Sequence, residues 1–160
     1  MRHFAKALAL AVILAVFSQS IALADYVSDA AKALEETNVY VATGTENTST
    51  QTASDLQKLL TSVDDIVLVM LPAAAVDELG MTPAEIAKSL SEALGNQHII
   101  GLAVGNQVVG YSAFVPDNMA SVLMDRASEI AYGDPVTSII NFVSYMHQWQ
   151  AENSKPLPKP

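Results

Sequence analysis

The side chains of this sequence that could do chemistry are mainly carboxylates, and the most closely spaced are Asp64 and Asp65. Adjacent carboxylates can raise each other's pKa or share a hard cation through their oxygens. In an extended segment, however, neighbouring side chains point to opposite faces. The pair also precedes an apolar strand, whereas ligands of parallel α/β sheets bind beyond the carboxyl ends of the strands. We therefore interpret Asp64 and Asp65 as a solvated turn.

A second set of polar residues recurs every four positions, at Asp117, Ser121 and Asp125, and Glu129 follows at the same spacing. This spacing puts the side chains on one helical face, which could form one wall of a cation site. Calcium, however, needs about six to eight oxygens from several segments, and such periodic charge is more typical of a solvated helix face. Asp117 is kept as a candidate metal ligand because it lies in the first turn of a helix that follows a strand.

A third candidate region is the polar loop after the first predicted strand, which runs from Thr43 through Ser54. At the carboxyl end of a parallel strand, its hydroxyls and the Glu46 carboxylate could line a cleft together with the segment after Leu71. The competing interpretation is a mobile polar loop. Glu46 and Asp117 are the predicted ligands of a divalent cation, calcium or magnesium, if the protein binds one.

The sequence carries few other reactive groups. It has no cysteine, which excludes thiol catalysis and thiolate metal sites. His98 and His147 have no partner at metal-ligand spacing, and we assign both to structural or surface roles. The sequence contains no Gly-x-Ser-x-Gly elbow, no His-Glu-x-x-His motif and no glycine-rich phosphate loop, so catalytic residues are unknown at this point.

Residues 1–24 have the three zones of a cleavable signal peptide. A basic start at Arg2 and Lys6 is followed by an apolar run to Phe17, which is shorter than the roughly 20 residues of a membrane-spanning helix. A small-x-small site ends at Ala24, which predicts cleavage before Asp25 and export to the periplasm or the medium. An uncleaved anchor is the alternative.

The charge of the processed chain restricts its partners. Six of the eight basic residues and all 17 acidic residues would remain after cleavage, a net charge of −11. Such a charge repels phosphate backbones, so we expect no nucleic-acid partner. It suits solubility, cations or a basic partner instead.

The periodicity of the remaining residues predicts the element order α-β-α-β-α-β-β-α-α. Asp65–Leu71 is a continuous apolar run, typical of a parallel strand covered on both faces. A capping box at residues 82–85 starts a helix, and Gly105-Asn106 indicates a hairpin. We predict a single three-layer αβα domain over residues 25–150, with a mostly parallel sheet of about four strands, one antiparallel hairpin and an extra C-terminal helix. Residues 151–160 are predicted to be a disordered tail.

The predicted last helix, from Asp134-Pro135 to about Gln150, is apolar on more than one face. An aromatic row of Phe142, Tyr145 and Trp149 lies beside its aliphatic stripe. Such a pattern favours burial beyond what one sheet can cover. We predict that this row contacts a partner protein, a second copy in a homodimer, or the membrane interface. The alternative is that it packs on its own domain.

The element order and several residues resemble the TPM domain, a small exported α/β module of bacterial envelope and thylakoid-lumen proteins. The resemblance covers about residues 26–131 and rests on Tyr26-Val27, on the strand that ends at Pro72, on the paired strands of residues 100–110 and on Pro116-Asp117. Family members usually carry an arginine near the hairpin and often continue into a transmembrane helix; this chain has no arginine there and ends after a short polar segment.

The resemblance implies two alternative functions. Some TPM domains are described as phosphatases or bind divalent metal, and others assist the assembly or repair of membrane complexes. We therefore expect either a non-catalytic accessory domain that binds an envelope or membrane-associated protein, or a metal-dependent phosphatase that uses Asp117 and Glu46. The missing arginine counts against the phosphatase, because the charge that develops on the oxyanion would lack an obvious stabiliser.

Overall fold

The computed structural model describes residues 25–61 and 65–153. The predicted signal peptide with Ala24, the Asp64 carboxylate and residues 154–160 lie outside the described residues. The helices are α1 Asp25–Leu34, α2 Thr52–Gln57, α3 Ala74–Leu79, α4 Pro83–Ala93, α5 Met119–Ile130 and α6 Pro135–Asn153, and the strands are β1 Val39–Val41, β2 Ile66–Leu71, β3 Ile99–Val104 and β4 Gln107–Ser112.

The four strands form one sheet in the order β1-β2-β3-β4. The first three strands are parallel, and β4 pairs with β3 in the antiparallel sense. The hairpin turns at Gly105, whose φ of 56° suits the first central position of a tight hairpin turn. The predicted fold class, a mostly parallel sheet with one hairpin and a C-terminal helix, is confirmed.

Every side chain of β2 is buried, because helices cover both faces of the sheet. The even-numbered side chains of β2 join one hydrophobic cluster and the odd-numbered ones join the other. The first cluster contains side chains of α2, α5 and α6, and the second contains side chains of α1, α3 and α4. The molecule is therefore a three-layer αβα sandwich, as the continuous apolar run predicted.

The two connections between parallel strands, β1–α2–β2 and β2–α3–α4–β3, have opposite hands. The strands step across the sheet in one direction from β1 to β3, yet α2 covers one face while α3 and α4 cover the other. Two successive right-handed crossovers in this order would place all three helices on the same face, so one of the two connections is left-handed, an uncommon arrangement. As a consequence, α2 and the loop before it lie on the same face as α5 and α6.

Two glycines opposite each other in the hairpin bring α5 and α6 close to the sheet. Gly101 pairs with Gly110 across β3 and β4. A Cβ on Gly101 would lie 3.1 Å from the ring of Phe142, and a Cβ on Gly110 would overlap the carbonyl oxygen of Ala120. The absence of side chains at this pair therefore leaves the space that Phe142 and the start of α5 occupy.

The last helix is longer than expected. It continues through Asn153, so the first three residues of the predicted tail are helical. Among the described residues, no helix combines the length and the apolar character that crossing a membrane requires.

Candidate functional site

A cleft of about 620 Å³ opens beside the loop that follows the carboxyl end of β1. One wall is the loop after β1, and the other is the turn that joins α5 to α6. An adjoining depression of about 430 Å³ extends along the same loop toward Thr43. Parallel α/β sheets characteristically bind ligands at this end. The cleft is lined by Asn47, Thr48, Ser49 and Thr52 on the first wall and by Tyr132, Gly133, Asp134, Pro135 and Val136 on the second.

The hydroxyl groups of the first wall fold the loop onto itself. The buried Thr45 hydroxyl donates to the carbonyl oxygen of Ala42 at 2.7 Å, and the Thr48 hydroxyl donates to the carbonyl oxygen of Thr45 at 2.8 Å. The backbone N–H of Ser49 donates to the hydroxyl oxygen of Thr52, also at 2.8 Å, at the start of α2. Short side-chain bonds of this kind give threonine-rich turns a defined shape. Thr48, Ser49 and Thr52 of this loop line the cleft, which was one of the two interpretations of the loop considered from the sequence.

Glu46 joins this loop to the next segment of the rim. Its carboxylate oxygens accept from the backbone N–H of Ala73, just before α3, at 3.1 and 3.2 Å. The side-chain amide of Asn47 donates to the side-chain oxygen of Asn106 in the hairpin at 3.2 Å. Gly105 approaches so closely that a Cβ there would lie 2.7 Å from the Cβ of Ala73. Glu46 and Asn47 thus hold three segments of the rim together.

Asp117, the other predicted metal ligand, lies toward the opposite end of the sheet. It follows β4, whose last residue Ser112 pairs with Ile99 at the beginning of β3. The 12 residues of α5 then run about 18 Å back to the cleft. The structure therefore does not bring Asp117 and Glu46 together. Within residues 25–61 and 65–153, no group of three His, Asp or Glu side chains is placed to hold a metal ion.

The other polar candidates lie outside the cleft. Asp125 and Glu129 are exposed on the outer side of α5, consistent with a solvated helix face. Asp65 is exposed at the beginning of β2. His98 lies at the beginning of β3, and its Nδ1 atom is buried with no hydrogen-bond partner among the described residues. His147 is half-buried on α6.

The aromatic row of α6 is mainly part of the core. Phe142 has 0% of its surface exposed, so the prediction that this residue contacts a partner is wrong: its ring fills the space left by Gly101. Tyr145 and Trp149 are half-buried and pack against the same hydrophobic cluster. The guanidinium carbon of Arg126 lies 5.0 Å from the centre of the Tyr145 ring, a cation–π contact between α5 and α6.

Tyr132, on the second wall of the cleft, was not a predicted site residue. Its side chain is 97% exposed, and its φ of 52° places a bulky residue in the left-handed region. Beside it, the Asp134 carboxylate caps α6 by accepting from the backbone N–H of Val136 at 2.9 Å and from the hydroxyl of Thr137 at 2.8 Å. In the sequence, Gly133 and Asp134-Pro135 indicated only the end of one helix and the start of another.

Protein-family models, curated proteins and solved structures were compared with this chain, and none of them matches it. The resemblance to the TPM domain therefore stays a prediction, and the candidate site rests on its geometry.

Proposed function

We propose that the protein is an exported, TPM-like accessory domain that binds an envelope or membrane-associated protein without catalysis, and that the cleft is its binding surface. The observation that carries this proposal is how two carboxylates are used: Asp134, which lines the cleft, and Glu46, which lies in the loop that forms the first wall. Glu46 accepts from the backbone before α3, and Asp134 accepts from the first turn of α6. Both carboxylates hold the walls in position, which suits binding better than proton transfer.

The rim has the construction of a preformed binding surface. The loop after β1, the start of α3 and the hairpin are joined by the contacts of Glu46 and Asn47. A surface that is already ordered loses less conformational freedom when a partner binds. The cleft therefore favours recognition by a fixed shape.

The charge around the cleft supports a neutral or basic partner. The lining includes the Asp134 carboxylate and no lysine, arginine or histidine among the described residues. The whole chain has a formal charge of −9. A phosphate ester would enter a negative field without a cationic side chain to stabilise it, so the phosphatase that the TPM resemblance also implies has less support.

Capture of envelope proteins by the tagged protein, expressed as the full chain and purified after export, tests the proposal. Ser49→Arg places a long charged side chain in the cleft, and Ser144→Arg makes the same change at an exposed position on α6 outside it. We expect Ser49→Arg to lose a specific partner that the wild type and Ser144→Arg both retain. Thermal unfolding of both variants checks that they are folded.

Two results would contradict the proposal. Equal capture by both arginine variants would show that the cleft is not the binding surface. Hydrolysis of p-nitrophenyl phosphate that requires magnesium, calcium or manganese and disappears in Asp117→Ala would show that the protein is a phosphatase.

A further inference from the structure

Tyr132 has an unusual combination of exposure and backbone conformation. A ring that is 97% exposed gains almost nothing from the hydrophobic effect, and a φ of 52° is unfavourable for any residue with a side chain. Folding therefore gives no reason for a tyrosine at this position. Residues held in such conformations occur preferentially at ligand sites. Tyr132 also lines the cleft, so the residue lies where a ligand would bind.

The ring offers a particular kind of contact. A tyrosine presents a flat apolar face with a hydroxyl group at one end. A pyranose sugar has a complementary form, because its axial C–H groups make one face apolar while its hydroxyls lie around the edge. The exposed ring of Tyr132 is therefore suited to stack on a sugar.

The opposite wall offers hydrogen-bonding groups to such a ligand. Thr48 uses its hydroxyl hydrogen on the carbonyl oxygen of Thr45, so toward the cleft its oxygen can only accept. Asn47 uses one of its two amide hydrogens on Asn106. The wall therefore presents a hydroxyl acceptor at Thr48 and the second amide hydrogen of Asn47, which suits a ligand whose hydroxyl groups both donate and accept.

Charge and size define the ligand further. Asp134 lies in the lining, which contains no cationic side chain among the described residues, so anionic polysaccharides and phosphates are disfavoured. The volume of about 620 Å³ is in the range of small-ligand sites and suits a short segment of a chain.

We infer that the cleft binds a neutral oligosaccharide, stacked on Tyr132 and hydrogen-bonded by the loop of residues 47–52. This inference rests on the proposed function, because it names the chemistry that the cleft recognises on its partner. The sugar chain is therefore carried by a glycosylated envelope protein, the partner of the proposed function.

Titration of the exported, isotope-labelled protein with neutral trisaccharides, followed by the chemical shifts of backbone amides, tests the inference. The probes are triacetylchitotriose, cellotriose and maltotriose, with trigalacturonate as an anionic probe of the same length. We expect at least one neutral probe to shift the amides of residues 47–52 and 132–136, with trigalacturonate inactive. Tyr132→Ala should weaken this binding about tenfold, Tyr132→Phe should retain most of it, and Ser144→Arg should leave it unchanged.

The inference is overturned if no neutral probe shifts these amides at millimolar concentration, or if Tyr132→Ala binds as well as the wild type. The capture experiment then separates the two proposals. If Ser49→Arg fails to capture the partner that the wild type captures, the proposed function stands and only the sugar is wrong. If Ser49→Arg captures the partner as well as the wild type does, both proposals fail. When a probe does bind, enzymatic removal of glycans from the captured protein is the second test. Loss of capture supports the inference, and retained capture overturns it, because the cleft would then recognise its protein partner without a sugar.

Discussion

Replacing Tyr132 by glycine should make the protein more stable. The side chain contacts little, since 97% of its surface is exposed, so its removal loses almost no buried area. The backbone at this position has a φ of 52°, in the region that glycine adopts without the clash between Cβ and the carbonyl oxygen. The substitution therefore removes strain from the folded state without opening a cavity.

The size of the effect follows from two opposing contributions. Relief of the left-handed conformation is worth about 1–2 kcal/mol for a residue with a side chain. The greater freedom of glycine in the unfolded chain offsets about 0.5–1 kcal/mol of that gain. From the middle of both ranges, the net increase in the free energy of unfolding is about 0.8 kcal/mol, which corresponds to a rise in Tm of about 2–4 °C for a domain of this size.

Chemical denaturation and thermal unfolding of Tyr132→Gly measure this increase, and Tyr132→Ala is the matched control. Alanine removes the same exposed ring but keeps the Cβ, so we expect its stability to stay within about 0.5 kcal/mol of the wild type. If glycine and alanine have the same effect, or if glycine destabilises the protein, the reasoning about backbone strain is refuted. A more stable glycine variant that no longer binds its ligand would be a direct exchange of stability for function.

Three further predictions concern the positions that build the domain. Gly110→Ala should destabilise the protein by about 3 kcal/mol or more in chemical denaturation, because the new Cβ meets the backbone carbonyl of Ala120 rather than a flexible side chain; equal stability would show that α5 can move away at little cost. Phe142→Ala should cost about 3–5 kcal/mol, and a variant that keeps its stability but loses a partner would restore the original prediction for this residue. Hydrogen bonds from the backbone and side chain of Thr82 lower the pKa of Glu85 in the folded state, so the contribution of Glu85 is present above its unfolded-state pKa and is lost as the pH falls through the folded-state pKa. When the free energy of unfolding is measured against pH, Glu85→Gln should lose less stability than the wild type as the pH falls. An unchanged dependence on acid pH would contradict the capping role.

Local signals in the sequence were sufficient to predict the helices, the strands and the hairpin. Thr82 and Glu85 form the predicted capping box, in which each side chain bonds to the other residue's backbone, because both partners lie within one helical turn. The apolar run of β2 predicted a strand covered on both faces, since no polar residue interrupts it. The hairpin followed from the glycine at the position that requires a positive φ.

The candidate site could not be predicted in the same way, because it depends on contacts between residues that are far apart in the sequence. Phe142 had the spacing of an exposed aromatic row, but its environment is decided by Gly101, which lies 41 positions earlier in the sequence. Glu46 was correctly placed at the carboxyl end of the sheet, but its bond to the backbone before α3 could not be read from the loop. Tyr132 looked like part of an ordinary helix end, because its exposure and its φ become evident only when α5 and α6 are in place.

The opposite hands of the two crossovers explain why these distant residues form a cleft at all. If both connections had the same hand, α2, α3 and α4 would all lie on one face of the sheet. The observed arrangement puts the loop before α2 and the turn between α5 and α6 on the same face, with Asn47 and Tyr132 on facing walls of one cleft. The first wall of the cleft thus shares a face with α5 and α6 because the helices of the two connections lie on opposite faces, and the cleft that results opens at the end of the sheet where parallel strands characteristically bind ligands.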